Sequence, residues 1–363
     1  MLTQVHEYGR DPVSERKAEE LRLQRIFSTE AFIRVYLDNA ALKGKASIYE
    51  EERVFKLDVI PVIGTKPVDE VTVEDIEAIQ TRILKRAKNN DAATRNGKVA
   101  VKNTLAYLRQ LFNLAKKKGL IENNPVTEVE SLGVAGSRSR ILSFEELWIF
   151  WNRIEMIGIP PVTAKALKFV LITMQRSTEV RNMRYAALKL EEKTWQLERH
   201  ETKNKTMHRV PLNRYARDII DEVTPYTAAS PFVFGATRAM EAPREQKRDL
   251  VPLGNTAMPQ AVRKNRSILG IEDFCPHDLR RTGATWITAA GLPKLYARLM
   301  LNHSDGERDV TGKVYVQYSY DFENQRAAQV WEFILDQIVT CASPKDIPTL
   351  EEIRNRVKSV GLL

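Results

Sequence analysis

Four short segments in the second half of this chain hold side chains that could bind an anion or move a proton. The first is Thr173-Met174-Gln175-Arg176-Ser177-Thr178-Glu179-Val180, where an arginine ends an apolar run and a carboxylate follows three residues later. Such a spacing gives either a plain helix-end ion pair or a guanidinium held ready for a ligand. The second is a polar run, Thr202-Lys203-Asn204-Lys205, which offers two turn lysines, a common feature with no chemistry by itself. The third is His277-Asp278-Leu279-Arg280-Arg281-Thr282. His277 and Arg280 are three apart at a helix start and project from one face, Pro276 suits the first helical turn, and a helix N-terminus carrying both is a ready anion site. The fourth joins Leu301-Asn302-His303-Ser304 to a tyrosine-rich stretch holding Tyr315, Tyr318 and Tyr320. Those rings could simply pack a small helix, or one of them could present a phenol.

The elements that must position these groups are legible from periodicity. Lys165 to Met174 reads as a strongly apolar helix that delivers Arg176 at its end. Trp195-Gln196-Leu197 and His208 to Leu212 read as two strands, with Lys203 in the turn between them. Ser143 and Glu146 mark a helix start. Thr256 to Leu269 and Asp278 to Ala290 are helical again. Leu132 to Arg140 is small, flexible and basic, and is the best linker in the chain.

Before that linker, residues from Ser28 to about Pro125 read as nearly all helix. Phe32, Val35 and Tyr36 share a face, Thr72 caps a helix with acids in its first turn, and Ile76, Ile79, Ile83 and Leu84 continue it. From Thr94 to Gly119, Val101, Leu105, Leu108, Leu111, Phe112 and Ala115 form an apolar stripe. The same segment carries Arg95, Lys98, Lys102, Arg109, Lys116, Lys117 and Lys118, and no acid occurs between Asp91 and Glu122. Surface helices usually mix both signs, so a purely cationic remainder suits a phosphate backbone.

Bulk properties agree with a globular, intracellular reading. Lys plus Arg outnumber Asp plus Glu by 56 to 47 in 363 residues, which leans toward a polyanionic partner. The two cysteines, Cys275 and Cys341, lie far apart and suggest neither a metal site nor a disulfide framework. No apolar run approaches the roughly 20 residues of a membrane span, and the N-terminus lacks a signal-peptide core. A soluble, cytoplasmic protein is expected.

Taken together, the four segments resemble the tyrosine recombinases, specifically the phage and genomic-island integrases. Arg176 with Glu179-Val180 is similar to the family's first arginine box. His277 to Thr282 is similar to its His-x-x-Arg box, Leu301-Asn302-His303-Ser304 to its Leu-Gly-His box, and Val314-Tyr315 with Tyr318-Ser319-Tyr320-Asp321 to its nucleophile box. Trp331 sits where such integrases often have an aromatic residue. The resemblance spans about residues 20 to 335. Two glycines of the pattern are replaced: Met174 stands before Gln175-Arg176, and Asn302 stands before His303.

The resemblance implies a mainly α fold with a small antiparallel β-sheet, arranged as a two-domain clamp on DNA. Expected boundaries are an N-terminal connector at 1–27, a helical core-site DNA-binding domain at 28–131, a linker at 132–140, a catalytic domain at 141–340 and a tail at 341–363. The arm-binding domain of long integrases is expected to be absent. In the tail, Leu350, Ile353, Val357 and Val360 are helically spaced, suited to docking on a neighbouring subunit.

The resemblance also implies the roles. Tyr315 would be the nucleophile, ahead of Tyr318 and Tyr320, forming a 3′-phosphotyrosyl bond that needs neither ATP nor metal. Arg176 and Arg280 would hold the non-bridging oxygens, because a guanidinium grips phosphate bidentately. Lys203, ahead of Lys205, would protonate the leaving 5′-oxygen. His277 would position the phosphate or take the tyrosine proton, His303 would donate to a non-bridging oxygen, and Glu179 would orient the arginines. His208, His200 and His6 have no place in the pattern and read as surface or structural. The expected substrate is double-stranded DNA at attachment or core sites. A homotetramer on DNA, DNA-bending accessory proteins, no cofactor and no membrane association complete the expectation. Two other outcomes of the same fold are supercoil relaxation in the manner of a type IB topoisomerase and a catalytically idle DNA-binding regulator.

Overall fold

A computed structural model describes residues 28–45, 47–88, 93–133, 139–236, 251–303 and 320–363, the side chains of residues 88 and 93–96 aside. The chain divides into two compact units, Met1–Ser137 and Arg138–Leu363.

The first unit is helical. Helix α1 (Thr29–Leu42) starts at the Ser28 cap, whose hydroxyl accepts from the Ala31 amide at 3.2 Å. Helix α2 (Ile48–Val54) runs through a π-helical stretch (Phe55–Val59) into α3 (Ile60–Ile63). Helices α4 (Val73–Lys88) and α5 (Ala93–Lys117) pack against each other. Their seam is the apolar stripe read from the sequence: Ile76, Ile79 and Ile83 face Val101, Leu105, Leu108, Leu111 and Phe112, all buried. Gly119, at φ +71, ends α5, and the Leu120 amide donates back to Ala115 O at 3.0 Å. A buried carboxylate, Glu51, is fully satisfied there. It accepts from Tyr36 Oη at 2.8 Å, Ser47 Oγ at 2.6 Å and Lys45 Nζ at 2.7 Å.

Part of the expected linker stays with this unit. Gln80 donates to Glu130 O at 3.0 Å and accepts from the Leu132 amide at 2.9 Å. Gly133 lies so close to α5 that a Cβ there would come within 2.5 Å of Lys98 O. Arg140 belongs to the second unit through its ion pair with Glu146. Residues 134–138 of the linker lie outside the described residues.

The second unit is built around α7 (Pro161–Thr173), with eleven of its thirteen residues buried, as an apolar helix in a core must be. Around it pack α9 (Arg214–Thr227), α10 (Ala257–Leu269), α11 (Pro276–Ala289) and α13 (Asp321–Val339). Trp331 on α13 is fully buried and donates through its indole N–H to Leu171 O at 2.9 Å. Helix α6 (Phe144–Arg153) opens on the expected Ser143–Glu146 capping box. Short helices α8 (Ser177–Arg181) and α12 (Lys294–Met300) complete the elements beside the site.

The sheet is small and antiparallel, in the order β1 (Leu188–Lys189), β2 (Thr194–Leu197), β3 (His208–Pro211). The β2–β3 register pairs Trp195 with Val210 and Leu197 with His208, and these residues are buried. The architecture is therefore mainly α with a small antiparallel sheet, as expected. No helix among the described residues is long and apolar enough to cross a membrane.

The C-terminal segment, expected to dock on a neighbouring subunit, also packs on its own unit. Helix α14 (Leu350–Ser359) lies against α13 of its own unit, with Ile353 and Val357 fully buried. The physical reason is its amphipathic spacing: residues four apart present one face, and α13 offers an adjacent apolar surface. Arg354 fastens it by donating to Ala289 O at 2.5 Å. Of the four residues expected to seat on a neighbouring subunit, Ile353 and Val357 are covered within the chain, Leu350 is partly buried and Val360 is exposed.

Candidate active site

The site is organised around Arg280, on the second turn of α11. That helix begins with Pro276 at its first position, and Asp278 accepts from the Cys275 amide at 3.0 Å. Arg280 is only 2% exposed. Its Nη1 donates to Met174 O at 2.5 Å, and its Nη2 donates to Leu301 O. Both acceptors are neutral carbonyls, so the guanidinium is oriented without its charge being cancelled. Burial and the neighbouring Arg176 lower its pKa to about 10, still far above neutrality.

The first carbonyl belongs to a sharply bent residue, and the second directly precedes one. Met174 sits at φ 54 and Asn302 at φ 45, each in the left-handed region, at the ends of α7 and α12. These are the two positions where the family pattern has glycine, and the left-handed conformation is the physical reason for that preference. Asparagine tolerates the region, whereas methionine does so only with strain. Between the two bends, Gln175 donates to Thr173 O and to Met300 O, each at 2.8 Å. Arg280 and Gln175 together therefore tie the ends of α7 and α12 to α11.

Arg176 caps α8. Its backbone amide donates to Glu179 Oε2 at 2.8 Å and its Nη1 donates to Glu179 Oε1 at 2.7 Å. Glu179 is buried, so it holds one edge of the guanidinium and leaves the remaining donors available.

Two imidazoles join the arginines. Burial, Arg280, Arg281 and Arg176 push the His277 pKa below its ordinary value, with Asp278 opposing. Burial, Arg280, Arg176, His277 and Arg298 do the same to His303. Both rings are neutral near pH 7, so each offers one donor and one acceptor. The shared couplings bring Arg176, His277, Arg280 and His303 into one electrostatic neighbourhood. Its net charge is positive, a setting that attracts an anion.

Lys203 is exposed on the turn between β2 and β3. Tyr315 and Tyr318, with Ser304, lie outside the described residues. Tyr320 caps the start of α13. In the first unit, Lys98, Lys102, Arg109, Lys116, Lys117 and Lys118 are all exposed along or just beyond α5, and the Arg95 side chain lies outside the described residues. Among the described residues, no group of three or more His, Cys, Asp or Glu could hold a metal ion.

Sequence reasoning passed over His208. It is 6% exposed on β3, hydrogen-bonded to Met300 O, with burial, Arg280 and Arg176 lowering its pKa to about 4. The alternation His208, Arg209, Val210, with the outer two buried, was the available signal. Gln175 had no such signal, because one of its carbonyl partners, Met300 O, lies 125 residues away from it.

With this geometry in place, relatives can be compared. Residues 156–320 match the Phage integrase family. The prophage integrase IntZ of Escherichia coli (strain K12) is 25% identical over 188 residues, covering 51% of this chain and 44% of that protein. The chain thus spans less than half the length of that relative. A lambda integrase dimer bound to a COC′ core site superposes with a TM-score of 0.62 at 15% identity, covering 87% of each chain. A lambda integrase tetramer bound to a Holliday junction gives 0.60 at 16% identity, covering 85% of this chain and 82% of that one. At such identities the structural likeness speaks to fold.

Proposed function

We propose, from the premise that this chain carries a phage integrase family domain at residues 156–320, that it is a tyrosine-type site-specific DNA recombinase. It integrates or excises a mobile element by cutting and rejoining double-stranded DNA at attachment or core sites. The observation that carries the reading is Arg280, a buried guanidinium held by two neutral carbonyls beside Arg176 and two neutral imidazoles.

The chemistry follows from those groups. The Tyr315 phenol oxygen attacks the scissile phosphorus, forming the 3′-phosphotyrosyl bond as the bond to the 5′-oxygen breaks. The tyrosine proton passes to His277 or water, and Lys203 gives its proton to the leaving 5′-oxygen, which departs as a hydroxyl. Arg176 and Arg280 stabilise charge developing on the non-bridging oxygens, and His303 donates to one of them. Glu179 keeps Arg176 aimed. The reverse attack by a 5′-hydroxyl of another strand restores the phosphodiester and releases the phenol.

The first unit supplies affinity. Lys98, Lys102, Arg109, Lys116, Lys117 and Lys118, together with Arg95, contact the phosphate backbone. A tetramer on DNA is the working assembly, supported by the lambda neighbour, whose structure is a tetramer on a Holliday junction. Accessory proteins that bend DNA and a cytoplasmic, nucleoid-associated location belong to the same reading. Kinship with integrases favours recombination over supercoil relaxation or a purely regulatory role.

The decisive test is covalent capture. Wild-type chain incubated with a pool of nicked duplexes should yield a protein–DNA adduct stable to denaturant. Tyr315→Phe should bind the captured sequences but form no adduct. An adduct formed by Tyr315→Phe would remove the nucleophile assignment, and a wild type that forms none would remove the function.

A further inference from the structure

We infer that Asn302, with Asn204 and Thr206, is a positioning group that fixes the lysine turn against the histidine turn and so sets Lys203 for proton delivery. This rests on the function proposed above. Asn204, the residue after Lys203, donates from Nδ2 to the Asn302 carbonyl at 2.5 Å. Thr206 donates from Oγ1 to Asn302 Oδ1 at 3.3 Å. Asn302 in turn is the residue before His303, and its amide donates to Leu299 O at 2.9 Å. The neighbours of two site residues, 98 positions apart in sequence, are therefore bonded directly to each other.

The other flank of Lys203 is fixed as well. Thr202 is 5% exposed. Its hydroxyl donates to Thr206 O at 2.7 Å and accepts from the Thr206 amide at 3.1 Å. The Lys205 amide donates to Thr202 O at 3.2 Å, closing the turn. An exposed lysine on a free turn would sample many positions, and a general acid acts only within hydrogen-bond reach of the leaving oxygen. Bracing both neighbours of Lys203 narrows its positions without burying its ammonium.

The side chain at 302 is what a glycine there would lack. Asparagine accepts the left-handed φ of 45 while adding an oxygen that the turn can bind. The replacement of the pattern's glycine thus gains a bond at little conformational cost. Because Asn204 and Asn302 are only half-buried and Thr206 is exposed, removing the brace leaves no cavity in the core.

The test separates positioning from folding by changing the leaving group. Two substrates are made from a duplex captured by the wild type, one with the ordinary 5′-oxygen and one with sulfur at that bridging position. A thiolate leaves without a proton, so it bypasses the general acid. Asn204→Ala should cut the oxygen substrate about tenfold more slowly, and Asn204→Ala/Asn302→Gly about a hundredfold, the low end of a general-acid contribution. Both should cut the sulfur substrate within about twofold of wild type. Asn204→Gln, which can still donate, should recover part of the loss. Arg280→Lys should fail on both substrates and serves as the control for a defect outside proton delivery. Equal losses of the brace variants on both substrates, or no loss on either, would overturn the inference. A wild type that cleaves nothing would instead overturn the proposed function.

Discussion

Met174 and Gly283 occupy complementary space: a Cβ at Gly283 would lie 2.8 Å from Met174 Cγ and 3.1 Å from its Sδ and Cε. Met174 is fully buried at a left-handed φ of 54, and its carbonyl orients Arg280. A bulky residue in the first arginine segment is thus accommodated by an absent side chain in the His-x-x-Arg helix. Gly283→Ala should therefore destabilise the wild type by roughly 1–2 kcal/mol, overpacking outweighing the helix-propensity gain of about 1 kcal/mol. In a Met174→Gly background the same change should stabilise, since the clash is gone and the methyl fills part of the space left. Urea unfolding of the four proteins gives the coupling, expected at about 2 kcal/mol. Additive effects would mean that the two side-chain positions do not share this space.

His208 should make stability depend on pH. Its folded pKa, about 4, lies below the ordinary value of 6.5 because it is buried neutral near two arginines. The unfolded chain then binds the extra proton between those values, so stability is full above pH 6.5 and is lost as pH falls toward 4. From pH 7 to pH 5 the loss from this group is about 2 kcal/mol. His208→Gln should remove that component. Identical pH dependence of unfolding in wild type and variant would refute the assignment.

How much was legible beforehand follows from what each residue depends on. The stripe Val101, Leu105, Leu108, Leu111 and Phe112 was readable because one helix's periodicity specifies its buried face, and every one of those residues is buried. Strand β1 was not, since two residues, Leu188 and Lys189, carry no alternation and exist as a strand only by pairing with β2. The departures at Met174 and Asn302 were visible as letters. Their meaning was not, because it lies in distant partners: the Met174 carbonyl is offered to Arg280, more than a hundred positions away, and Asn302 accepts from Asn204 and Thr206. The amphipathic face of α14 was visible too, but sequence does not say which surface an apolar face will cover.

Arg280→Lys should separate chemistry from binding. The guanidinium uses Nη1 and Nη2 on two different neutral carbonyls, which leave its charge uncancelled. An ammonium is a single point and cannot satisfy both carbonyls and a non-bridging oxygen in that geometry. Adduct formation should fall about 10²–10³-fold, with DNA affinity changed only a few-fold. Matching losses in gel shift and adduct assays would mean that Arg280 merely holds DNA.

The cationic face of α5 should act on affinity and its salt dependence. Lys98, Lys102 and Arg109 are exposed and make none of the chain's packed core. Replacing each with Gln should lower the slope of log affinity against log salt by roughly 0.9 for every phosphate that is no longer neutralised. The cleavage rate at saturating protein should hold. An unchanged slope in the triple variant would place DNA on another face of the first unit.

The C-terminal helix should contribute stability within its own chain. Ile353 and Val357 are fully buried against the second unit's core, while Val360 is 54% exposed. Ile353→Ala should therefore cost about 2–5 kcal/mol of unfolding free energy, the usual range for emptying a packed aliphatic site. Val360→Ala should change it by no more than about 0.5 kcal/mol. The destabilisation should be independent of protein concentration, because α14 packs on its own chain. A concentration-dependent effect, or unchanged stability with assembly on DNA abolished, would show that this face seats on a neighbouring copy instead. A truncation after Thr340 should reproduce the Ile353→Ala defect and exceed it, since it also removes the Arg354 bond to Ala289 O.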